Sequence, residues 1–209
     1  MGLTAGEQAT EVGQAGALAS PGRALSTAES AIDGQYPRVV GGTELRTIMS
    51  HFPTGVTIVT AHADGVDQGM TANSVASVSL TPPLIAVCTA KLSRTVAAIN
   101  ASGSFAVSFL AAHQKDVAHR FSRPRDDHFK GFSTGRTTLG HPYILQGLGY
   151  IECEVVQQVD AGDHSVLIGR VTESAFRGGD PLVFFRSTLG QLSQPQSAWA
   201  TSKSKEKNQ

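Results

Sequence analysis

The order of elements in this chain predicts a mainly β fold: an antiparallel barrel, closed or partly closed, with small helices at its rim. About seven segments rich in β-branched and aromatic residues are separated by Gly, Pro, Asp and Ser clusters. The two helical stretches among them are too short for βαβ crossovers, and too few for a doubly wound sheet. No internal repeat appears at solenoid or propeller spacing.

The first ordered element is a short helix over 43–51, with Thr43 as N-cap and Leu45, Ile48, Met49 and Phe52 on one face. Pro53 ends it, because a proline biases the preceding residue out of the helical region. Residues 55–61 read as a strand, β-branched from Val56 to Thr60, and Asp64-Gly65 is a hairpin signal leading toward Gly69-Met70-Thr71-Ala72-Asn73-Ser74. A hydroxyl-rich strand, Ser77-Val78-Ser79-Leu80, ends at Pro82-Pro83. Further strands are predicted over 84–89, 105–110, 149–159, 165–172 and 182–185. Of the helices, 94–101 carries Val96, Ile99 and Asn100 at helical spacing before Gly103 stops it, and 113–121 puts Val117, Ala118 and Phe121 on one side. The 165–171 strand alternates poorly and is expected to lie against protein on both faces.

Lys plus Arg and Asp plus Glu number 17 each, so no global charge draws the chain to nucleic acid or an anionic membrane. A small, near-neutral partner is the better fit. No apolar run approaches the ~20 residues a membrane span needs, and no basic-then-apolar leader opens the chain, so the expected location is cytoplasmic. Cys88 and Cys153 lack metal or redox spacing and read as buried thiols. Residues 1–40 are poor in bulky apolar side chains and are expected to stay disordered; 193–209 reads as a flexible tail, leaving one folded domain over 41–192.

No GxGxxG, GxxxxGK[ST], GxSxG or HExxH motif is present, so an enzymatic function would draw its hard chemistry from a bound organic cofactor. Three polar clusters carry the remaining signal. The 69–84 run offers hydroxyls, an amide and approachable backbone N–H groups, suited to a flat, polar-edged ligand with a phosphate tail or simply to a polar loop entering an edge strand. Ser93-Arg94-Thr95 opens a helix, either as an ordinary cap or as a phosphate site. Gly162-Asp163-His164 is either a solvent-facing turn or a pocket-mouth imidazole. His113 and His119 are six residues apart, the wrong spacing for paired metal ligands on one helix face, and no metal is expected. Arg120 could reach a phosphate or a pyrimidine edge, with Phe121 and Phe129 packed beneath the neighbouring loop.

Taken together, these segments resemble the flavin reductase-like, FMN-binding split-barrel family, the short-chain NAD(P)H:flavin reductases that serve two-component monooxygenases. The resemblance is carried by Phe52-Pro53-Thr54-Gly55-Val56-Thr57-Ile58-Val59-Thr60, the runs 69–74 and 77–84, Ser102-Gly103-Ser104-Phe105-Ala106-Val107, Gln114, Arg120-Phe121 and Gly162-Asp163-His164. It implies a homodimer of antiparallel, Greek-key split barrels with flavin in a groove near the subunit interface. It further implies that Thr71, Ala72, Asn73 and Ser74 line the isoalloxazine and ribityl region, with Thr54 nearby and Ser77, Val78 and Ser79 on the adjoining strand. Ser93, Arg94 and Thr95 would hold the phosphate, with Arg120 in reach of the cofactor, and Gly162, Asp163 and His164 would meet the nicotinamide. Ser108 stands where relatives often carry Asn and is left out of the site.

The activity so implied is hydride transfer from NADH or NADPH to FMN or FAD, with reduced flavin leaving for a partner monooxygenase. His164 would orient the nicotinamide or screen charge on the reduced ring. A non-catalytic FMN carrier or redox-sensing module, or a flavin-dependent oxygenase component on the same barrel, are the alternatives.

Overall fold

The computed structural model describes residues 40–124 and 126–192. The expected disordered segment 1–40, Val40 apart, and the tail 193–209 lie outside the described residues. Three helices and twelve strands follow in the order α1 (Gly42–Met49), β1 (Thr54–Gly55), β2 (Thr57–Ala63), β3 (Val66–Ala72), β4 (Val75–Leu80), β5 (Pro83–Ala90), α2 (Arg94–Ser102), β6 (Ser104–Phe109), α3 (Lys115–Phe121), β7 (Thr134–Arg136), β8 (Pro142–Ile144), β9 (Gly149–Ala161), β10 (His164–Phe176), β11 (Leu182–Phe185) and β12 (Thr188–Gln191). The mainly β, antiparallel character is as expected. The strands divide among three sheets: a seven-stranded one ordered β3-β2-β6-β9-β10-β5-β4, a β1-β11-β12 sheet and a β7-β8 pair.

The large sheet is strongly curled. Its two edge strands, β3 and β4, are consecutive in the chain and joined only by Asn73 and Ser74. Laid flat, seven strands would separate those edges by roughly 29 Å at about 4.8 Å per spacing, whereas so short a link spans at most about 10 Å. The sheet therefore has to bend until its edges nearly meet. They are not paired with each other in the strand order; Ser74 instead crosses to β5, its carbonyl accepting from Cys88 N and its Oγ donating to Cys88 O at 2.7 Å.

Two apolar cores follow from this curl. Val59, Val87, Ile99, Phe105, Val107, Cys153 and Leu167 pack α2 against the concave side of the sheet. Val56, Ile58, Leu110, Val117, Phe121, Ile144 and Leu182 bury α3 and β11. Burial pushes the Cys153 thiol up to about 12, as expected for an inert core cysteine, while Cys88 is only half-buried. Val56, expected inside one continuous strand, breaks it in two: its N–H donates to Leu182 O and its carbonyl accepts from Leu110 N, so the chain switches sheets at that residue.

The Asp64-Gly65 hairpin forms as its sequence predicts, with φ of 52° and 76°, the left-handed pair that a two-residue turn requires. Helix α1 departs from expectation. It starts at Gly42, with the Thr43 carbonyl accepting from Thr47 Oγ1 inside it, and none of its residues is buried. Beyond its C-terminal end, Arg186 N donates to Ser50 O and His51 stands edge-on to Phe185, while the Leu45-Ile48-Met49 face is left uncovered by the described residues. Strand β10 also differs: it alternates, with Ser165, Leu167 and Gly169 buried and Val166 and Ile168 half-exposed, because one face of the sheet has no layer over it among the described residues.

Gly169 sits where β10 shifts register, and a Cβ there would fall 2.7 Å from the Phe105 ring and 2.8 Å from Cys153 Cβ. Gly169→Ala is therefore expected to cost about 1–3 kcal/mol by overpacking, read as a lower urea midpoint with an unchanged slope. A second test concerns His141, fully buried, whose Nδ1 accepts from His62 N at 2.9 Å while its other ring nitrogen meets Ser104 Oγ at 2.8 Å. Burial, with the His62 and Arg136 charges, holds its pKa below the usual 6.5. As pH falls through 6.5 the unfolded chain gains the proton first, so this part of the stability is present above that pH and lost below it. The urea midpoint should drop between pH 7.5 and 5.5, and His141→Asn, which keeps an acceptor without titrating, should flatten the drop.

Candidate functional site

Five of the polar residues singled out from the sequence, Thr71, Asn73, Ser93, Arg94 and Thr95, line clefts along edge strand β3. Along this strand a cleft of about 370 Å³ is lined by Thr71, Asn73, Val56, His119, Phe184 and Ser187 among others. A second, of about 410 Å³, takes in Gly69, Ser93, Arg94, Thr95 and His128. Met70, Phe121 and Ser122 line both, so the two adjoin as one groove, the Thr71–Asn73 part and the Ser93–Thr95 part meeting at Met70 and Ser122 above the buried Phe121 ring.

Gly69 makes that junction possible. A Cβ at this position would stand 2.7 Å from Phe121 Cε1 and 3.3 Å from Phe129, so only glycine lets the ring lie on β3. Phe121 is then held edge-on to Phe129 at 5.0 Å and stacked with His128 at 5.1 Å. Thr71 Oγ1 donates to Ala118 O at 2.7 Å, which ties the end of α3 to the same strand and leaves the hydroxyl's lone pairs as acceptors.

At the other end, Ser93 caps α2 as its sequence predicts. Its backbone is extended (φ −72°, ψ 134°) and its Oγ accepts from Thr95 N at 3.2 Å, while the helix stops at Gly103 in the left-handed region. The first-turn N–H groups, the Ser93 hydroxyl and the Arg94 guanidinium thus share one end of the groove. Arg94 Nη1 reaches Asp126 Oδ1 at 2.6 Å, an exposed pair of small net worth.

Thr54, on β1 opposite Phe184, has a buried Oγ1 with no hydrogen-bond partner, the one such side-chain atom among the described residues. Its neighbours Val56 and Phe184 are walls of the first cleft. Part-exposed Met70 and Phe184, a half-satisfied hydroxyl, the exposed amide of Asn73 and a cationic helix start form a lining that fits a flat ring joined to a phosphate.

The remaining predicted residues lie apart from this groove. Ala72 is buried in the core and Ser74 is spent on Cys88. Ser77, Val78 and Ser79 sit on the opposite edge strand, where a register shift leaves Val78 as the extra residue. Arg120 donates to Asp127 O at 3.3 Å and lies over the Phe132 ring, off the buried Val117-Ala118-Phe121 face of α3, so it braces the loop that follows rather than lining either cleft. His164 opens β10 opposite Ala90, and Lys91 N donates to Asp163 O, so the Gly162-Asp163-His164 turn is anchored to the segment leading into Ser93. The His164 ring, through Nδ1, pairs with Asp163 at 2.7 Å and holds that carboxyl below its usual range. Gln114 and Ser108 are structural: Gln114 bridges Ala111 N and Leu145 O, and Ser108 Oγ accepts from Ile144 N.

Sequence reasoning missed Met70, His119, Phe184, Ser187 and Leu189 as groove residues. The last three belong to a hairpin whose turn, Arg186-Ser187, has positive φ at both residues without the Asn or Gly that would announce it. Among the described residues no group of three His, Cys, Asp or Glu side chains could hold a metal ion, and no helix is long and apolar enough to cross a membrane.

Residues 49–193 match the model of the flavin reductase-like domain. The chain belongs to this family. It is 42% identical over 142 residues to the reductase subunit HsaB of a flavin-dependent monooxygenase from Rhodococcus jostii (strain RHA1), covering 68% of this chain and 73% of the relative. The flavin reductase component of a bacterial two-component tryptophan halogenase superposes with a TM-score of 0.69 at 38% identity, over 74% of this chain and all of that one. The NADH:FAD oxidoreductase SgcE6 from Streptomyces globisporus C-1027, solved with NAD and FAD fragments, gives 0.71 at 30% identity, over 74% and 94%. The flavin reductase-like family is the one its motifs resemble, and the groove along β3 is its candidate site here.

The Ser93 cap can be tested without any ligand. Ser93→Ala removes the acceptor for Thr95 N and should cost about 1 kcal/mol, measured by thermal or urea unfolding of the apo protein.

Proposed function

We propose that this chain acts as a homodimeric split-barrel reductase that accepts hydride from NADH or NADPH, delivers it to FMN or FAD, and releases reduced flavin to a separate monooxygenase. The reaction class, flavin reduction in the service of a partner monooxygenase, is the one its relatives carry in their names. The observation that carries the reading is the single groove linking Thr71 and Asn73 to Ser93, Arg94 and Thr95 over Phe121.

Bound flavin supplies the hydride-accepting nitrogen of its central ring. The chain supplies placement. Met70, Phe184 and Leu189, each part-exposed in the first cleft, offer the apolar surface for the ring, and Thr71 and Asn73, with the neighbouring backbone, hydrogen-bond its polar edge where negative charge develops. Ser93, Thr95 and Arg94 hold the phosphate through charge-assisted bonds. His164, fixed through Nδ1 by Asp163, keeps Nε2 for the nicotinamide nucleotide.

Dimerisation is supported by the uncovered sheet face, where Val159, Val166 and Cys88 align in one row and Ile168, Ala86 and Ala76 in the next, and by exposed Val78 and Leu80 on edge strand β4. Its co-substrates, free flavin and NAD(P)H, make the cytoplasm its place of work.

Following nicotinamide absorbance with each pairing of NADH or NADPH with FMN or FAD tests the activity; no oxidation in any pairing removes it. Arg94→Ala should raise the Kd for FMN by about tenfold while leaving riboflavin unchanged. His164→Ala should raise KM for the nicotinamide nucleotide, and an unchanged KM and rate would eliminate that role.

A further inference from the structure

We infer that the groove is built for a flavin dinucleotide, and that the adenylate half of FAD lies beyond Arg94, along the first part of β3, against Val66, Gln68 and His128. The inference rests on the reading that sets the flavin phosphate at Ser93–Thr95.

A third cleft, of about 210 Å³, continues the groove and is lined by Val66, Asp67, Gln68, Arg94, Asp126 and His128. Gln68, Arg94 and His128 also line the middle cleft, so the three form one trough that follows β3 from Asn73 back to Val66. At about 3.3 Å per residue it is roughly 23 Å long. A ring at Thr71 and Asn73 with its phosphate at Ser93–Thr95 occupies the first two clefts only. A mononucleotide ends at Arg94, and the last third of the trough has no counterpart in it.

The chemistry of that last third suits a purine nucleotide. Arg94 borders both clefts, so its guanidinium stands where a first phosphate would be joined to a second. The two carboxylates do not oppose this equally. Asp67 is already committed, accepting from Arg136 Nη1 and Nη2 at 2.7 Å each and pairing with His62 Nδ1 at 2.7 Å, and these bonds outweigh burial in holding its pKa low. Asp126 pairs with Arg94 at 2.6 Å but from an almost fully exposed position, where water screens the pair, and a second phosphate competes with it for the same cation. The Gln68 amide offers a donor and an acceptor to a purine edge, Val66 an exposed apolar surface, and His128, held through Nε2 by Arg123 O at 2.7 Å, a fixed ring.

The test is titration of the full chain with FAD, FMN and riboflavin by calorimetry or flavin fluorescence. FAD should bind about tenfold or more tighter than FMN, and FMN tighter than riboflavin. Val66→Glu, an exposed strand position, should weaken FAD about tenfold by charge repulsion with FMN changed less than about twofold. Asp126→Asn should strengthen FAD more than FMN. Equal FAD and FMN affinities, or a Val66→Glu effect shared by both, overturns the proposal while FMN still exceeds riboflavin. FMN binding no tighter than riboflavin removes the phosphate reading beneath it as well.

Discussion

Phe121 can lie across β3 only because position 69 carries no side chain, and much of the groove depends on that contact. The ring closes the core made with Val117, Ala118 and Ile58, provides the surface on which His128, Phe129 and Phe132 gather, and forms the shared floor of two clefts. A packing constraint inside the fold thus sets where the residues lining the two clefts above it stand. Thr71 reinforces the arrangement from two residues away by bonding the last turn of α3. The position of the helix relative to the strand is therefore set twice, once sterically and once by a hydrogen bond.

The curl of the large sheet is the second condition. Because β3 and β4 are opposite edges joined by two residues, β5 and the start of α2 are carried round until Ser93 comes against Met70, its Oγ 3.4 Å from the sulfur. In a flat sheet the small-residue run at 69–74 and the helix start at 93–95 would be far apart. Bending brings two polar stretches some twenty residues apart in sequence onto one trough.

Much of this was legible in the residues. Asp64-Gly65 specified its turn through the positive φ it accommodates, Ser93 its cap through a hydroxyl placed for Thr95 N, and Gly103 its helix stop. Periodicity located α2, α3 and most long strands, because each buries one stripe or face. The short strands β1, β7, β8 and β12 escaped, being two to four residues long and lacking room for a period to show. Val56 escaped for another reason: a strand that changes sheets midway keeps the same composition on both sides of the switch.

The candidate site divides along the same line. Local chemistry determined that Thr71, Asn73 and Ser93 to Thr95 would offer polar atoms and backbone donors, since hydroxyls, small side chains and a helix start act wherever they stand. Tertiary structure alone decided that Arg120 turns to Asp127 and Phe132, that Ser74 is consumed by Cys88, and that the β11–β12 hairpin supplies Phe184, Ser187 and Leu189 to the groove. The physical reason is that a side chain's identity fixes what it can bond, whereas the curl of the sheet and the steric gap at Gly69 fix which groups come within reach of it.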